Sequence, residues 1–415
     1  MRILLLTHYF EPENGAPQRR WSALITRFRS AGHSIDVLAP PPHYPSGRLS
    51  AGHRGLTSGT RHESASGATV HRVAFLRHSG DVATRTLDHL VAAMDSYRRG
   101  VRLFRAPGGR PDVIIATAPA MESLIAGRAL ARKFRVPLVA EMRDAWPDLV
   151  AHTPGLGSPA TPTSAAKRRV HEFITRLQRH ADVVVTTTTT FAKVLRARGI
   201  SRVTVLRNGT DPARYEVVPT RVRDGKFPLR VLYMGTIGRS QGLDRVIEAV
   251  ARLHATGIAI DAKLVGQGAD VGRLRRLNQR LGGPVDILGQ IEGAAVVEQY
   301  KWADSTIVSL RDWEPFAWTV PSKLYELMSA GKHITAIVSG ESADLIRESR
   351  SGDIVEPGDI EALVALWRGI ARDRTRLQVG DGGRRWITEN ASYDRIAQEY
   401  IKTLEEVVLS PIRRN

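Results

Sequence analysis

The chain has 415 residues, longer than the roughly 250–300 at which single cores stop growing, so two domains are the expectation. Lys and Arg number 60 against 42 Asp and Glu, and the resulting +18 attracts phosphates, nucleic acid or an anionic leaflet without choosing among them; because the arginines are spread along most of the chain, the excess also reads as plain arginine-rich composition. The absence of cysteine excludes a disulfide scaffold, a thiol nucleophile and any Cys-ligated zinc or iron–sulfur site.

Short β-branched and leucine-rich runs alternate with longer amphipathic stretches, the pattern of a parallel sheet whose strands are joined by helices. A first series predicts strands over 3–6, 34–38, 113–117, 138–141, 183–186 and 203–206. The opening apolar run is too short for a secretory signal, and no uncharged apolar stretch reaches the ~18–20 residues of a spanning helix. The expected location is therefore cytoplasmic, with at most peripheral contact with the inner face of the plasma membrane. A second series predicts strands over 229–234, 261–265, 285–288, 305–309, 334–337 and 353–355. Each series makes one doubly wound α/β domain. Between them, 211–227 is charged, holds Pro212, Pro219 and Gly225, and lacks apolar periodicity, so it is the expected linker. The domains are then 1–212 and 226–394. A last helix near 393–409 carries Ile396, Tyr400, Ile401 and Leu404 at helical spacing without a new strand; its 395–415 portion is expected to pack back on the first domain. Segments 106–110 and 153–164 read as Gly/Pro/Ser/Thr-rich loops.

Three segments carry candidate chemistry. After the first strand, Glu11-Pro12-Glu13-Asn14-Gly15-Ala16-Pro17 leads into a helix over 18–31. A glycine there lets a ligand approach the backbone at a helix N-terminus, and also reads as an ordinary turn glycine. Neither G-x-G-x-x-G nor G-x-x-x-x-G-K-[ST] occurs, which disfavours nicotinamide binding and P-loop hydrolysis. In the second series, Gly235, Gly238, Arg239 and Gly242 lie between a strand and a helix over 243–253, offering backbone donors, a cation and a helix dipole to a diphosphate. Leu264–Gly268 and Ile287–Ile291 end the next two strands with further glycines. The third segment runs from Val320 to Lys332: Pro321 starts a helix, Ser322 and Lys323 present a hydroxyl and a cation, and Glu326 follows on the same face. This arrangement suits a phosphate and a ribose diol, and equally a capped helix with an i,i+3 ion pair.

In order and spacing these pieces resemble glycosyltransferase family 4, retaining enzymes of the GT-B fold, and within it the polysaccharide transferases of the L-fucosamine and colanic-acid type. The resemblance rests on the start through Gly15, on Pro42-His43-Tyr44-Pro45-Ser46-Gly47, on Glu141-Met142-Arg143-Asp144-Ala145-Trp146-Pro147, on Asn208-Gly209-Thr210-Asp211, on 235–242 and on 321–331. It implies two Rossmann-like domains facing a cleft, with acceptor binding in the first and nucleotide-sugar binding in the second. Gly15, beside Asn14, resembles the glycine that faces the donor diphosphate and sugar. Arg239 and Lys323 resemble the diphosphate clamps, Glu326 the glutamate that binds the ribose, and Gly289, Gln290 and Ile291 the stretch that pairs with the base; Gly238, Pro321, Ser322 and Leu324 belong to the same donor set. Asp144 lies on a loop that in the look-alikes faces the transferred sugar, and it reads also as a loop-capping carboxylate. Two positions depart from the family pattern. Gln241 replaces the usual lysine, and Trp318 stands at the first glutamate position while Glu314 lies twelve residues before Glu326, on a longer loop.

The resemblance implies retaining transfer without an enzymatic nucleophile, the charge of the leaving diphosphate being met by Arg239, Lys323 and helix N-termini. No metal and no cofactor are expected, and no Asp-x-Asp pattern of the metal-dependent sugar transferases occurs. The donor is a nucleoside-diphosphate sugar, UDP-linked rather than GDP-linked, carrying a hexose or N-acetylhexosamine. The acceptor is a lipid-linked glycan or a polysaccharide of the cell envelope. Segment 85–105 sets Leu87, Leu90, Val91 and Met94 among Arg98, Arg99, Arg102 and Arg105, with Lys167-Arg168-Arg169 beyond. It could lie on anionic lipid, and it reads as well as a half-exposed helix with solvated arginines. The rival enzyme readings are transfer to a small-molecule acceptor and nucleotide-sugar epimerisation. Outside enzymes, a nucleic-acid or anionic-surface binder rests on charge alone, without an RNA-binding aromatic signature or zinc-finger spacing, so no nucleic-acid partner is expected.

Overall fold

The computed structural model describes residues 1–44, 46–53, 55–79, 81–106, 109–151, 162–214 and 227–410. Two units result, Met1–Arg207 with Tyr393–Asn415, and Asn208–Ser392. The strands of the first are β1 (Arg2–Leu6), β2 (Ser34–Ala39), β3 (Arg61–Glu63), β4 (Thr69–Arg72), β5 (Val113–Thr117), β6 (Leu138–Met142), β7 (Val183–Thr186) and β8 (Val203–Val205). Their order is β3-β4-β2-β1-β5-β6-β7-β8, parallel throughout except where β3 meets β4. The chain winds outward from β1 through β2 to β4, then crosses to β5 and winds the other way, so the strand order reverses between β1 and β5. In doubly wound sheets ligands bind outside the strand C-termini at this reversal.

The second sheet repeats the plan with β9 (Leu229–Met234), β10 (Ile260–Val265), β11 (Asp286–Leu288), β12 (Ser305–Ser309), β13 (His333–Ile337) and β14 (Gly352–Val355), in the order β11-β10-β9-β12-β13-β14 and wholly parallel. Its reversal lies between β9 and β12. Strands β5, β6, β12 and β13 are buried at every residue. Helices covering both faces favour such buried, mostly apolar strands, and all twelve expected strands form with ends within one residue of expectation. Strands β3 and β4 were not foreseen. They are short, charged and at the sheet edge, and carry no apolar run.

The helix Tyr393–Leu409 buries Ile396, Ala397, Tyr400, Leu404 and Val407 in the core of the first unit. Tyr400 packs edge-on against Phe28 of the helix Ala16–Ser30, with ring centroids 5.6 Å apart. The chain leaves the first unit after Arg207, earlier than the expected boundary at 212, because Thr210 already bridges Ser392 and donates its amide to the Ala391 carbonyl at 3.1 Å. Residues 215–226 of the expected linker, 153–161 of one expected loop and 107–108 of the other lie outside the described residues. Among the described residues no helix is long and apolar enough to cross a membrane.

Candidate functional site

At the reversal in the second sheet, the loop after β9 stays bonded to the end of β10. Gly235 donates its amide to the Val265 carbonyl at 3.0 Å, Ile237 to Gln267 at 2.8 Å, and Asp270 donates back to Ile237 at 3.1 Å. This closeness explains two glycines that suggested ligand contacts from sequence. A Cβ on Gly266 (φ +151°) would stand 1.8 Å from the Gly235 oxygen, and one on Gly268 (φ +157°) 2.2 Å from the Ile237 oxygen. Their first task is to let two stretches of backbone meet.

The loop then makes a 3₁₀ turn, Arg239–Gln241. The Gln241 side chain folds back so that its Oε1 accepts the Gly238 amide at 3.0 Å. The residue standing in place of the usual lysine thus caps the loop and occupies a backbone donor that the diphosphate reading assigned to ligand. From the end of β12, Ser309 Oγ donates to the Gln241 carbonyl at 2.6 Å, the Arg311 amide to Ser240 at 2.9 Å, and Arg311 Nε to the Arg239 carbonyl at 2.6 Å. Arg311 also bonds Asp244 at 3.1 and 3.3 Å, and Arg273 holds Asp270 through two bonds of 2.7 and 2.8 Å. That hydrogen-bonded pair lowers the Asp270 carboxyl below its ordinary range against the opposing effect of burial. Arg239 itself is exposed. Sequence reading missed Ser309 and Arg311, which lie 68 and 72 positions from their partners in this loop, and with them Asp244, whose role shows only through Arg311.

The segment after β12 bears the remaining donor candidates. Trp313 stacks on Phe316, with centroids 5.2 Å apart, and between them exposed Glu314 opens the one-turn helix Glu314–Ala317, closed by half-buried Trp318. Ser342 Oγ fastens this longer loop by donating to the Thr319 carbonyl at 2.9 Å. Pro321 is the extended cap of the helix Ser322–Ala330, one residue ahead of the expected first turn. Leu324 is fully buried and donates its amide to the Pro321 carbonyl at 2.9 Å, so it shapes the helix start and its side chain faces the core. Ser322, Lys323 and Glu326 are half-buried, and Lys323 Nζ donates to Glu326 Oε2 at 2.6 Å. Gly289 and Gln290 are exposed and Ile291 half-buried at the end of edge strand β11.

In the first unit, Asn14 Oδ1 accepts from Arg19, and Gly15 in extended conformation caps the helix Ala16–Ser30. A Cβ at Gly15 would meet Gln18 Oε1 at 2.4 Å. Buried Gln18 donates to Glu13 Oε2 at 2.9 Å, while Glu13 Oε1 accepts the amides of His43 and Tyr44 at 2.5 and 2.7 Å. One carboxylate therefore ties the Gly15 turn to the Pro42–Gly47 motif, whose Pro45 lies outside the described residues. At the end of β6, Asp144 reaches solvent, and the surrounding protein raises its carboxyl above the usual range against the attraction of Arg143. The Arg143 carbonyl is pinned by Thr187 Oγ1 at 3.0 Å. Beside β1, His8 packs against Tyr9, His43 and His89, and burial lowers its imidazole to about 3. The candidate residues thus form two sets: Asn14, Gly15 and Asp144 in the first unit, and Gly238, Arg239, Gln241, Gly289–Ile291, Glu314, Trp318 and Pro321–Glu326 in the second.

Known proteins match this layout. Residues 15–209 match the Glycosyl transferase 4-like domain model and residues 228–373 the Glycosyl transferases group 1 model. The glycogen synthase of Mycobacterium tuberculosis is 25% identical over 393 residues, covering 91% of this chain and 88% of its own. The putative colanic acid biosynthesis glycosyl transferase WcaI of Escherichia coli is 25% identical over 385 residues, covering 88% of this chain and 91% of its own. The crystal structure of Anabaena HepE in complex with UDP-glucose superposes with a TM-score of 0.69 at 18% identity, over 98% of this chain and all of that one.

Proposed function

The chain belongs to the family 4 glycosyltransferases of the GT-B fold, and on that premise we propose that it transfers a hexose or N-acetylhexosamine from a UDP-linked donor, with retention, to a lipid-linked or polysaccharide acceptor in cell-envelope glycan assembly. One observation carries the donor assignment: in the first two turns of the helix Ser322–Ala330, whose cap is Pro321, a half-buried ammonium and carboxylate stand 2.6 Å apart. Such a pair neutralises itself without ligand and can open onto one, Lys323 turning to a phosphate and Glu326 to the two hydroxyls of a ribose. Arg239, on the loop at the sheet reversal, adds a second cation. Both cations would act most where charge accumulates on the leaving diphosphate, which is catalysis by electrostatic stabilisation. Asn14, Gly15 and Asp144 are assigned to the transferred sugar, Gly289–Ile291 to the base, and Glu314 with Trp318 to the sugar hydroxyls. The UDP preference draws support from the HepE complex, and the envelope acceptor from the likeness to WcaI. The proposed transfer needs neither metal nor cofactor.

The test uses titration calorimetry with UDP and GDP, followed by turnover assays with the matching sugar nucleotides. UDP should bind more tightly than GDP. Glu326→Ala should weaken UDP binding tenfold or more, since charge-assisted hydrogen bonds are worth about 1.5–3 kcal/mol each. Lys323→Ala should lower kcat more than affinity. If both variants bind and turn over like the wild type, the Lys323–Glu326 pair is only a helix-surface ion pair and the donor assignment fails.

A further inference from the structure

Three buried side chains from separate segments of the first unit turn donor atoms on one another. His8 follows β1, His43 follows β2, and Asp88 lies in the second turn of the helix Val82–Leu103. They are 4%, 1% and 0% exposed, and one donor atom of each lies within 4.8 Å of the others. His43 Nδ1 stands 2.8 Å from the Pro41 carbonyl and so carries the ring proton, which leaves Nε2 with its lone pair. Asp88 Oδ1 accepts the Leu76 amide at 2.7 Å, leaving Oδ2. His8 Nε2 and Asp88 Oδ2 face each other at 2.9 Å, and among the described residues neither these two atoms nor His43 Nε2 has any other hydrogen-bond partner. An unpaired buried polar group costs about 1–3 kcal/mol, so His43 Nε2, aimed at a buried imidazole–carboxylate contact, calls for a partner that all three can share.

We propose that His8, His43 and Asp88 bind a divalent first-row transition metal ion, with zinc as the probe. Two imidazoles and one carboxylate, with a backbone carbonyl behind one ring and a backbone amide behind the carboxylate, are the donors and outer-shell partners such ions take. Magnesium and calcium favour all-oxygen sets. Ligands of a tetrahedral zinc site at bonds of about 2.0–2.1 Å stand about 3.3 Å from each other, so small side-chain rotations close the observed spacing. Three protein ligands leave one position for water or an exogenous group. The site joins the ends of β1 and β2 to the helix Val82–Leu103, shares no residue with the proposed donor set, and is independent of that reading.

Full-length protein stripped with a chelator is titrated calorimetrically with Zn²⁺, and cobalt is substituted to read its visible absorption. The wild type should bind one zinc per chain and give cobalt bands of a four- or five-coordinate ion. His43→Gln and Asp88→Asn, checked for folding by circular dichroism, should bind zinc at least tenfold more weakly and lose the bands, whereas a change at half-buried His180, His180→Gln, should alter neither. A wild type that takes up no stoichiometric zinc overturns the proposal whether or not the variants fold. So do folded His43→Gln and Asp88→Asn proteins that bind zinc as the wild type does.

Discussion

Lys332 shows at the scale of one residue how burial becomes a measurable pH dependence. It follows the left-handed cap Gly331, is 2% exposed at the entry to β13, and donates from Nζ to the Ala303 carbonyl at 2.9 Å. Burial lowers its ammonium from 10.5 to about 8, with nearby Asp304 opposing the shift. The folded state therefore holds this proton less tightly than the unfolded chain, and unfolding takes up a proton between pH about 8 and about 10.5. Stability from this group rises with pH through that window and is lost again as pH falls through it. Urea unfolding of wild type and Lys332→Met at both ends of the window should show the difference moving towards the wild type by up to about 3 kcal/mol at high pH. Parallel pH profiles would show that the lysine is not buried as described. The glycines 266 and 268 teach a companion lesson, since residue type announced a close approach and only the fold showed that the approaching partner is backbone.

Among the elements, the junction of two helices and two strand ends is held by a buried polar network. Arg20, on the helix Ala16–Ser30, donates to Glu141 Oε1 at 2.8 Å and to the carbonyls of Arg207 and Leu206 at 2.6 and 3.1 Å, while Tyr400 of the C-terminal helix donates to Glu141 Oε2 at 3.1 Å. Burial, with the Glu141 carboxylate adding to it, pushes the Tyr400 phenol well above its ordinary value, so it stays a donor. Arg20 thus fastens the chain where it leaves the first unit, and Glu141 fixes the end of β6, from which Asp144 is presented. Removing one partner strands the other's buried charge: Arg20→Met should destabilise the protein by about 3–5 kcal/mol. Adding Glu141→Leu should recover part of that loss, because the stranded carboxylate is gone. Urea unfolding of the two single variants and the double variant measures this, and strictly additive losses would show that the pair is not coupled.

For the molecule as a whole, the +18 charge acts through its distribution. The helix Val82–Leu103 exposes Leu87 at 51% and Met94 at 54%, and Leu90 and Tyr97 are exposed as well, with Arg98, Arg102 and Arg105 open to solvent. Arg99 is half-buried and bound to Asp95 at 2.5 Å. Exposed apolar and cationic groups on and just beyond one helix fit the peripheral membrane contact expected beside a lipid-linked acceptor. Co-sedimentation with vesicles containing anionic phospholipid should fall when Arg98, Arg102 and Arg105 are changed to Gln, and change little for Arg99→Gln. It should also weaken between ionic strengths of about 0.01 and about 0.15 M, as the Debye length shrinks from about 30 to about 8 Å. Binding that ignores both the substitutions and the salt would count against the lipid-linked acceptor and leave the polysaccharide one.

The two doubly wound sheets were legible along the chain, since strands covered on both faces are mostly apolar and twelve short apolar or β-branched runs are spaced by helix-length stretches. The sequence also carried the family motifs, whose residues are neighbours along the chain. Tertiary structure alone decided what depends on distant partners. The short charged strands β3 and β4 have no apolar signal and exist through pairing, β4 with β2 and the edge strand β3 with β4. Gln241, read as a replaced lysine, became a cap on Gly238 once β12 clamped its loop. Leu324, read as a donor contact, turned to the core because its helix must bury one face. His8, His43 and Asp88 share no motif spacing, and only the winding of β1 and β2 beneath the helix Val82–Leu103 brings their donor atoms together.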